Sequence, residues 1–200
     1  MLAINLLTGL LEEFLFQPRN IILVGFMASG KSQVGRILSR AIGWPLVDGD
    51  DVIVQRAGKP IHKIFEREGE PTFRALERSV TADLCAASGQ IIAAGGGAFV
   101  DPENRHHMRE NGLVFCLKAR PDTVYRRITE ADPNAAERPM LSGDDPVGRI
   151  TALMEERAEA YSQAHHLIET DALTLEEVAQ QILKLCPGIV ATDQSHRREK

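Results

Sequence analysis

The sequence predicts an α/β protein with a parallel sheet covered by helices on both faces. Five short apolar segments alternate with segments of helical periodicity, and this alternation is typical of such a sheet. A glycine-rich loop, GFMASGKS at residues 25–32, joins the first apolar segment to an amphipathic helix. The chain has 200 residues, 44% of them hydrophobic, which suits one domain with a substantial core.

The predicted strands are short runs rich in branched aliphatic residues. They span residues 21–24, 45–48, 90–94, 113–118 and 166–169. Helical patterns lie at residues 31–42, 51–57, 60–68, 71–88, 102–110, 121–129, 146–163 and 174–185. Ligands of open α/β sheets bind at the carboxyl ends of the strands. The segments that follow the first three strands are therefore the first candidates for a site.

The glycine-rich loop has the spacing of a nucleotide phosphate site. Gly25 and Gly30 permit a tight turn, and backbone N–H groups with a helix N-terminus can replace the hydration of phosphate oxygens. Lys31 can reach the β- and γ-phosphates, and the Ser32 hydroxyl can ligate Mg²⁺. The alternative is a chance glycine-rich turn, but the preceding strand and following helix are the context that the motif requires.

The second predicted strand ends in an acidic run, DGDD at residues 48–51. Carboxylates beside a phosphate loop can hold Mg²⁺ through water, or orient and deprotonate an acceptor hydroxyl. We assign these functions to Asp48 and Asp50. Asp51 precedes a helical pattern, and we expect it to be the N-cap of that helix.

Three consecutive glycines, Gly95, Gly96 and Gly97, follow the third predicted strand. Each glycine costs backbone entropy on folding, so we expect the backbone to approach another group closely there. A simple sharp turn is the alternative.

Arginines supply the remaining candidates. Arg74, Arg138 and Arg157 each stand within a short motif, namely GEPTFRALE, ERPML and MEERAEAYS. We interpret the other helical arginines, Arg126 and Arg127 among them, as ordinary surface charges, because that is the usual place of an isolated arginine.

Charge and cysteine content narrow the class of protein. The chain has 23 basic and 28 acidic residues, a net charge of -5, whereas binding to a nucleic-acid backbone relies on clustered Lys and Arg. We therefore expect a small-molecule substrate and no nucleic-acid partner. The three cysteines are far apart and lack metal-ligand spacing. This pattern favours core packing in a reducing compartment, and hence a cytoplasmic location.

Two terminal segments flank a predicted domain at residues 19–187. Residues 1–18 are apolar, but they lack a basic n-region and include Glu12 and Glu13, so an export signal is not expected. Their leucines recur at helical spacing and predict an amphipathic helix that packs on the domain or on a neighbour. The apolar positions of this helix are Leu6, Leu7, Leu10, Leu11, Phe14 and Leu15. The helix lacks the basic face of a membrane-bound one.

At the other end of the chain, the polar tail at residues 188–200 is expected to be flexible.

Six motifs together resemble those of the shikimate kinases in order and approximate spacing, over about residues 19–185. They are GFMASGKS, VDGDD, GEPTFRALE, AAGGGA, RPML and ERAEAY. The resemblance implies a three-layer P-loop kinase fold, with a five-stranded parallel sheet of order 2-3-1-4-5 and a mobile lid near residues 130–146. It also implies transfer of the γ-phosphoryl group of ATP to the 3-hydroxyl of shikimate, in aromatic amino acid biosynthesis through chorismate. We expect the protein to be a monomer.

The resemblance assigns the nucleotide side of the site. The residues that would contact ATP are Ala28, Ser29, Gly30, Lys31, Ser32, Gln33 and Arg138. Lys31 would contact the transferring group, and Arg138 would close over ATP as part of the lid. Ser32 would bind Mg²⁺, assisted through water by Asp48.

The resemblance also assigns the acceptor side. Asp50 would bind the acceptor hydroxyl and serve as the base. Arg74 and Arg157 would grip the shikimate carboxylate, and Gly96 would contact a ring hydroxyl. A planar carboxylate is best recognised by forked guanidinium groups, which fits these two arginines.

Two other functions remain open at this point. A gluconate-type sugar-acid kinase would share the loop and the fold, although the FR, GGG and RPML set argues against it. A nucleotide-binding module without catalysis would have no use for an acceptor site.

Overall fold

The computed structural model of the protein describes residues 19–131 and 144–186. Five parallel strands form one sheet with the order β2-β3-β1-β4-β5, as the sequence resemblance predicts. The strands are β1 Asn20–Val24, β2 Leu46–Asp48, β3 Gln90–Ala93, β4 Leu113–Lys118 and β5 His166–Glu169. The N-terminal extension, Arg138, most of the predicted lid and the C-terminal tail lie outside the described residues.

Seven helices and one 3-10 turn are found in the described ranges. The helices are α1 Lys31–Ile42, α2 Gly49–Ala57, α3 Ile61–Ala86, α4 Pro102–Asn111, α5 Pro121–Ala131, α6 Pro146–Ser162 and α7 Leu175–Lys184, and the 3-10 turn spans Ala98–Val100. None of these helices is both long enough and apolar enough to cross a bilayer.

Alternation along β1 places side chains in both layers of the core, since successive residues of a strand point to opposite faces. Ile21 and Leu23 pack on one face with apolar residues of α1 and α7. Ile22 and Val24 pack on the other face with residues of α3, α4 and α6. All five β1 residues are buried, so the loop that follows β1 starts from a rigid strand.

Two helices begin or continue differently from the sequence prediction. The helix after β2 begins at Gly49, two residues earlier than predicted. The predicted helices at residues 60–68 and 71–88 are joined as α3, with a kink at Gly69, whose φ of 82° is left-handed. Pro71 lies just beyond the kink, where its missing N–H is tolerated because the regular hydrogen-bond ladder is already interrupted.

The three cysteines, Cys85, Cys116 and Cys186, are free and buried. Burial raises the pKa of each thiol to about 12. The prediction that they serve core packing is confirmed.

Candidate active site

The phosphate loop lies between β1 and α1, at the carboxyl edge of the sheet. Gly25 has a φ of 135°, and a Cβ there would lie 2.4 Å from the Leu117 carbonyl oxygen, so only glycine fits. Gly30, also left-handed, is the N-cap of α1 and supplies no side-chain hydrogen bond. The first N–H groups of α1 are thus left without a side-chain cap, and such groups bind anions well.

Lys31, the first residue of α1, turns back over the loop. Its Nζ donates hydrogen bonds to the carbonyl oxygens of Gly25 at 2.9 Å and Phe26 at 3.0 Å. Burial lowers the pKa of this ammonium to about 8, while Asp50 and Asp48 oppose the shift. A phosphate group bound at the loop would place an anion beside this ammonium and would raise its pKa again.

Ser29 adds a second sign of an anion site in the loop. Its Oγ is buried, and it has no hydrogen-bond partner among the described residues. A buried hydroxyl without a hydrogen-bond partner is costly, and a phosphate oxygen would accept a hydrogen bond from it. The residues present therefore fit a triphosphate.

Asp48 joins the phosphate loop to α2. Its Oδ2 accepts a hydrogen bond of 2.7 Å from the Ser32 hydroxyl. Its Oδ1 accepts one of 3.1 Å from the Asp50 backbone N–H, which makes Asp48 the N-cap of α2. The prediction that Asp51 is the cap was wrong, because α2 begins earlier and Asp51 is an exposed residue of its first turn.

Asp50 lies on the floor of the site beside the glycine run. A Cβ on Gly95 would lie 2.6 Å from Asp50 Oδ1 and 3.5 Å from Glu77 Oε1. The expectation that the glycine backbone approaches another group closely is confirmed at this position. Burial raises the pKa of Asp50; Asp48 adds to the shift and Lys31 opposes it. A raised pKa makes this carboxylate a better proton acceptor.

Arg74 approaches the glycine run from α3. Its Nη1 donates to Glu77 Oε2 at 2.9 Å, and its Nη2 donates to Glu70 Oε1 at 3.1 Å. A Cβ on Gly97 would lie 3.2 Å from Arg74 Nη1, so a larger residue there would crowd the guanidinium.

Arg157 approaches the same turn from α6. Its Nη1 donates a hydrogen bond of 3.2 Å to the Gly96 carbonyl oxygen, and its guanidinium lies over the Phe26 ring, 5.4 Å from the centroid. The Tyr161 hydroxyl donates to the same carbonyl oxygen. The two arginines predicted to act together thus converge on one glycine turn from different helices.

A cleft of about 650 Å³ opens beside the phosphate loop. It is lined by the predicted ATP-contact residues Ala28, Gly30, Lys31, Ser32 and Gln33, and by Arg127, Glu130, Ala131, Leu173, Thr174 and Leu175. Its volume falls in the range of small-molecule and cofactor sites.

The match to known proteins agrees with this geometry. The family model described as "Shikimate kinase" matches residues 27–187. The chain belongs to the shikimate kinase family. Its members are ATP-dependent small-molecule kinases. The quoted motifs that fall within the described residues, GFMASGKS, VDGDD, GEPTFRALE, AAGGGA and ERAEAY, all contribute residues to the site described above.

Curated relatives named shikimate kinase match most of the chain. One from Symbiobacterium thermophilum is 43% identical over 166 residues, which are 82% of this chain and 94% of the relative. One from Synechococcus is 40% identical over 174 residues, which are 87% of each protein.

Solved structures agree as well. A shikimate kinase from Acinetobacter baumannii in complex with shikimate has a TM-score of 0.77 and 35% identity, covering 88% of this chain and 97% of that one. A gluconokinase from Sinorhizobium meliloti is only 16% identical with a TM-score of 0.54, a likeness of fold alone.

Sequence reasoning missed two side chains of this family member's site. Glu77 is buried and holds Arg74, although only Arg74 was singled out in the GEPTFRALE motif. The sequence did contain a signal: Arg74 and Glu77 are three residues apart, a spacing that places two side chains on the same face of a helix.

Arg127 is the second missed residue, and its interpretation as a plain surface charge was wrong. Its Nη1 donates to the Ala28 carbonyl oxygen at 3.3 Å and to Thr170 Oγ1 at 3.2 Å, and its Nη2 donates to the Thr170 carbonyl oxygen at 3.2 Å. It therefore ties α5 to the phosphate loop and to the end of β5. No local motif marks this role in the sequence.

Proposed function

We propose that this chain transfers the γ-phosphoryl group of ATP to the 3-hydroxyl of shikimate, giving shikimate 3-phosphate and ADP on the way to chorismate and the aromatic amino acids. The observation that carries the proposal is the convergence of Arg74 and Arg157 on the glycine turn beside Asp50. Two forked guanidinium groups beside one turn suit a planar carboxylate. Asp50, which lies beside Gly95 of the same turn, is placed to bind a hydroxyl of the acceptor bound there.

The nucleotide binds along the phosphate loop and the adjoining cleft. Ser29 Oγ and the uncapped N–H groups of α1 bind phosphate oxygens, and Lys31 moves its ammonium from the loop carbonyls to the transferring phosphoryl group. Gln33 and Arg127 line the nucleotide cleft. Arg138, which is outside the described residues, closes over ATP with the lid near residues 130–146.

Mg²⁺ fits the hydroxyl of Ser32 and the carboxylate of Asp48, which are hard oxygen donors joined by a hydrogen bond of 2.7 Å. Ser32 would ligate the ion directly and Asp48 would assist through water. Among the described residues there is no cluster of three or more His, Cys, Asp or Glu side chains able to bind a metal. When bound, the ion neutralises charge that develops on the phosphoryl oxygens.

Asp50 orients the acceptor hydroxyl and accepts its proton. Phosphoryl transfer passes through a loose transition state, so alignment and charge neutralisation account for most of the catalysis. Arg74 and Arg157 supply the alignment by fixing the ring through its carboxylate, and the Gly96 backbone contacts a ring hydroxyl.

We further propose that the enzyme works as a monomer in the cytoplasm, without a nucleic-acid or membrane partner. The deciding experiment for the substrate is ADP release measured with shikimate, with gluconate and with neither. Release that depends on shikimate supports the proposal. Release that depends on gluconate would support a sugar-acid kinase, and no release above background with purified, nucleotide-binding protein would support a binding module.

A further inference from the structure

A groove of about 360 Å³ lies on the sheet face opposite to α1, at the edge formed by β5. We call it the β5-edge groove; its walls include Phe26, Cys116, Met154, Ala158, Tyr161 and Leu167. Its volume corresponds to about a dozen water molecules at liquid density. An apolar groove of this size is large enough to take several aliphatic side chains.

The groove exists because α6 covers the edge strand incompletely. Leu167 is paired in register with Cys116 of β4, yet Leu167 is 47% exposed and Cys116 only 1%. An exposed leucine on an edge strand is a liability for aggregation, which proteins usually avoid by covering the edge.

The part of the chain that precedes β1 has the complementary pattern. Leu7, Leu10, Leu11 and Phe14 have the i, i+3, i+4, i+7 spacing of one helix face. The neighbouring Glu12 and Glu13 fall outside that stripe at 100° per residue. The proposed function uses none of these residues.

The segment is long enough to reach the groove. It joins β1, which is the direct neighbour of β4, and Val24 at the end of β1 is level with Cys116. The five residues of β1 extend over about 17 Å, and two strand spacings add about 10 Å across the sheet. A helix of 18 residues spans about 27 Å.

A second copy of the chain is a poorer occupant. A stable protein interface covers about 800 Å² per partner. The other large apolar side chains exposed among the described residues are Val54, Phe65 and Leu185, which lie on α2, on α3 and just beyond α7. None of these elements lines the β5-edge groove, so these side chains do not enlarge the groove into an apolar patch of the size that a dimer interface needs.

We propose that residues 1–18 form an amphipathic helix whose apolar stripe packs into the β5-edge groove of the same chain. This contact covers Leu167 and packs against two other residues of the groove wall, Phe26 of the phosphate loop and Tyr161, whose hydroxyl donates to the Gly96 carbonyl oxygen. It stabilises the domain without supplying a group to the reaction.

The test compares amide hydrogen exchange in the full-length protein and in two variants. Leu7→Glu/Leu11→Glu disrupts the stripe, and Glu12→Gln is the matched control outside it. We expect residues 151–162 and 166–169 to exchange faster in the double variant, by roughly tenfold or more since two apolar anchors are removed. The control should exchange like the parent, and ADP release should continue in all three.

The reciprocal variant, Leu167→Glu, changes the groove and is read at the segment. We expect residues 2–16 to lose protection from exchange, while circular dichroism stays that of the folded parent. Equal exchange of the groove in the parent and the double variant would overturn the proposal. Protection that increases with protein concentration, together with a dimeric mass in light scattering, would overturn it in favour of a second copy.

Discussion

Arg74 Nη1 donates a hydrogen bond of 2.9 Å to Oε2 of Glu77, whose side chain is only 4% exposed. Burial raises the pKa of Glu77, and Arg74 opposes the shift. The same arginine contacts Glu70, whose side chain is 62% exposed. Arg74 therefore pairs with one buried carboxylate and one exposed carboxylate, and mutating each glutamate separately distinguishes their contributions to its position.

Glu77→Gln should raise the Michaelis constant for shikimate by roughly fivefold and leave that for ATP nearly unchanged. The amide keeps an acceptor but loses the charge, and a charge-assisted hydrogen bond exceeds a neutral one by about 1 kcal/mol. Glu70→Gln is the matched control and should have little effect, because exposed ion pairs contribute little. Steady-state kinetics with each substrate varied in turn provides the comparison. Equal effects of the two changes would mean that Glu77 does not position Arg74.

Lys31→Ala should lower the turnover rate by about 10²- to 10³-fold or more, because it removes the ammonium that neutralises charge on the migrating phosphoryl group. The fold should persist, as measured by circular dichroism. Lys63→Ala, an exposed lysine paired with Glu66, is the control and should keep parental activity. Activity within a factor of about two of the parent in Lys31→Ala would rule out this loop as the phosphate site.

Asp50→Asn should retain ATP binding while turnover collapses, since the amide cannot accept a proton. Asp51→Asn should change little, because Asp51 is exposed and caps nothing. Reversed effects of the two substitutions would place the base at Asp51.

The raised pKa of Asp50 also has a consequence for stability. Between the ordinary carboxyl pKa and the higher folded value, the folded state binds more protons than the unfolded state. The contribution of Asp50 to stability is therefore present at low pH and is lost as pH rises through this window. Asp50→Asn should then raise the melting temperature at neutral pH and lose that advantage in acid. Thermal melts across pH measure this, and a lowered melting temperature at neutral pH would contradict it.

Arg157→Lys should raise the Michaelis constant for shikimate and leave that for ATP nearly unchanged, because lysine keeps the charge but loses the planar fork. Arg74→Ala should raise the Michaelis constant for shikimate further, because the binding free energy of shikimate falls by roughly 1.5–3 kcal/mol when a charge-assisted hydrogen bond is lost. An analogue with a carboxamide in place of the carboxylate should be rejected by the parent and discriminated against much less by the variants. Equal use of acid and amide by the parent would show that these arginines do not recognise a carboxylate.

Ala28→Gly should be tolerated and should leave ATP affinity equal or better. Ala28 has a φ of 55°, and a left-handed conformation costs an L-residue about 1–2 kcal/mol. Glycine removes that strain, but it lowers the folding stability by roughly 0.5–1 kcal/mol because the unfolded chain is more flexible at a glycine. Gly25→Ala is the opposite case and should abolish nucleotide binding, because its Cβ would meet the Leu117 carbonyl oxygen. Isothermal titration with ATP measures both, and a marked loss of affinity in Ala28→Gly would mean that the methyl group packs favourably.

Local patterns were enough to predict the strands and most helices. Apolar runs and helical periodicity depend on neighbours in sequence, so the five strands and the phosphate loop were identified within a residue or two. The exceptions arose at helix ends. Asp51 has the composition of an N-cap, but which residue caps α2 depends on where the chain leaves β2, and there Asp48 is placed beside Ser32.

By itself, the sequence determined the α/β class, the phosphate loop and, through its motifs, the family and the set of arginines to examine. Only the tertiary structure decided which side chains meet. Arg127 and Ala28 are 99 residues apart in the chain, yet their groups are 3.3 Å apart. Glu77 can hold Arg74 in place because the folded core buries its carboxylate away from water. Periodicity records which face of an element is buried, whereas contacts between elements and the loss of hydration exist only once helices and strands are packed.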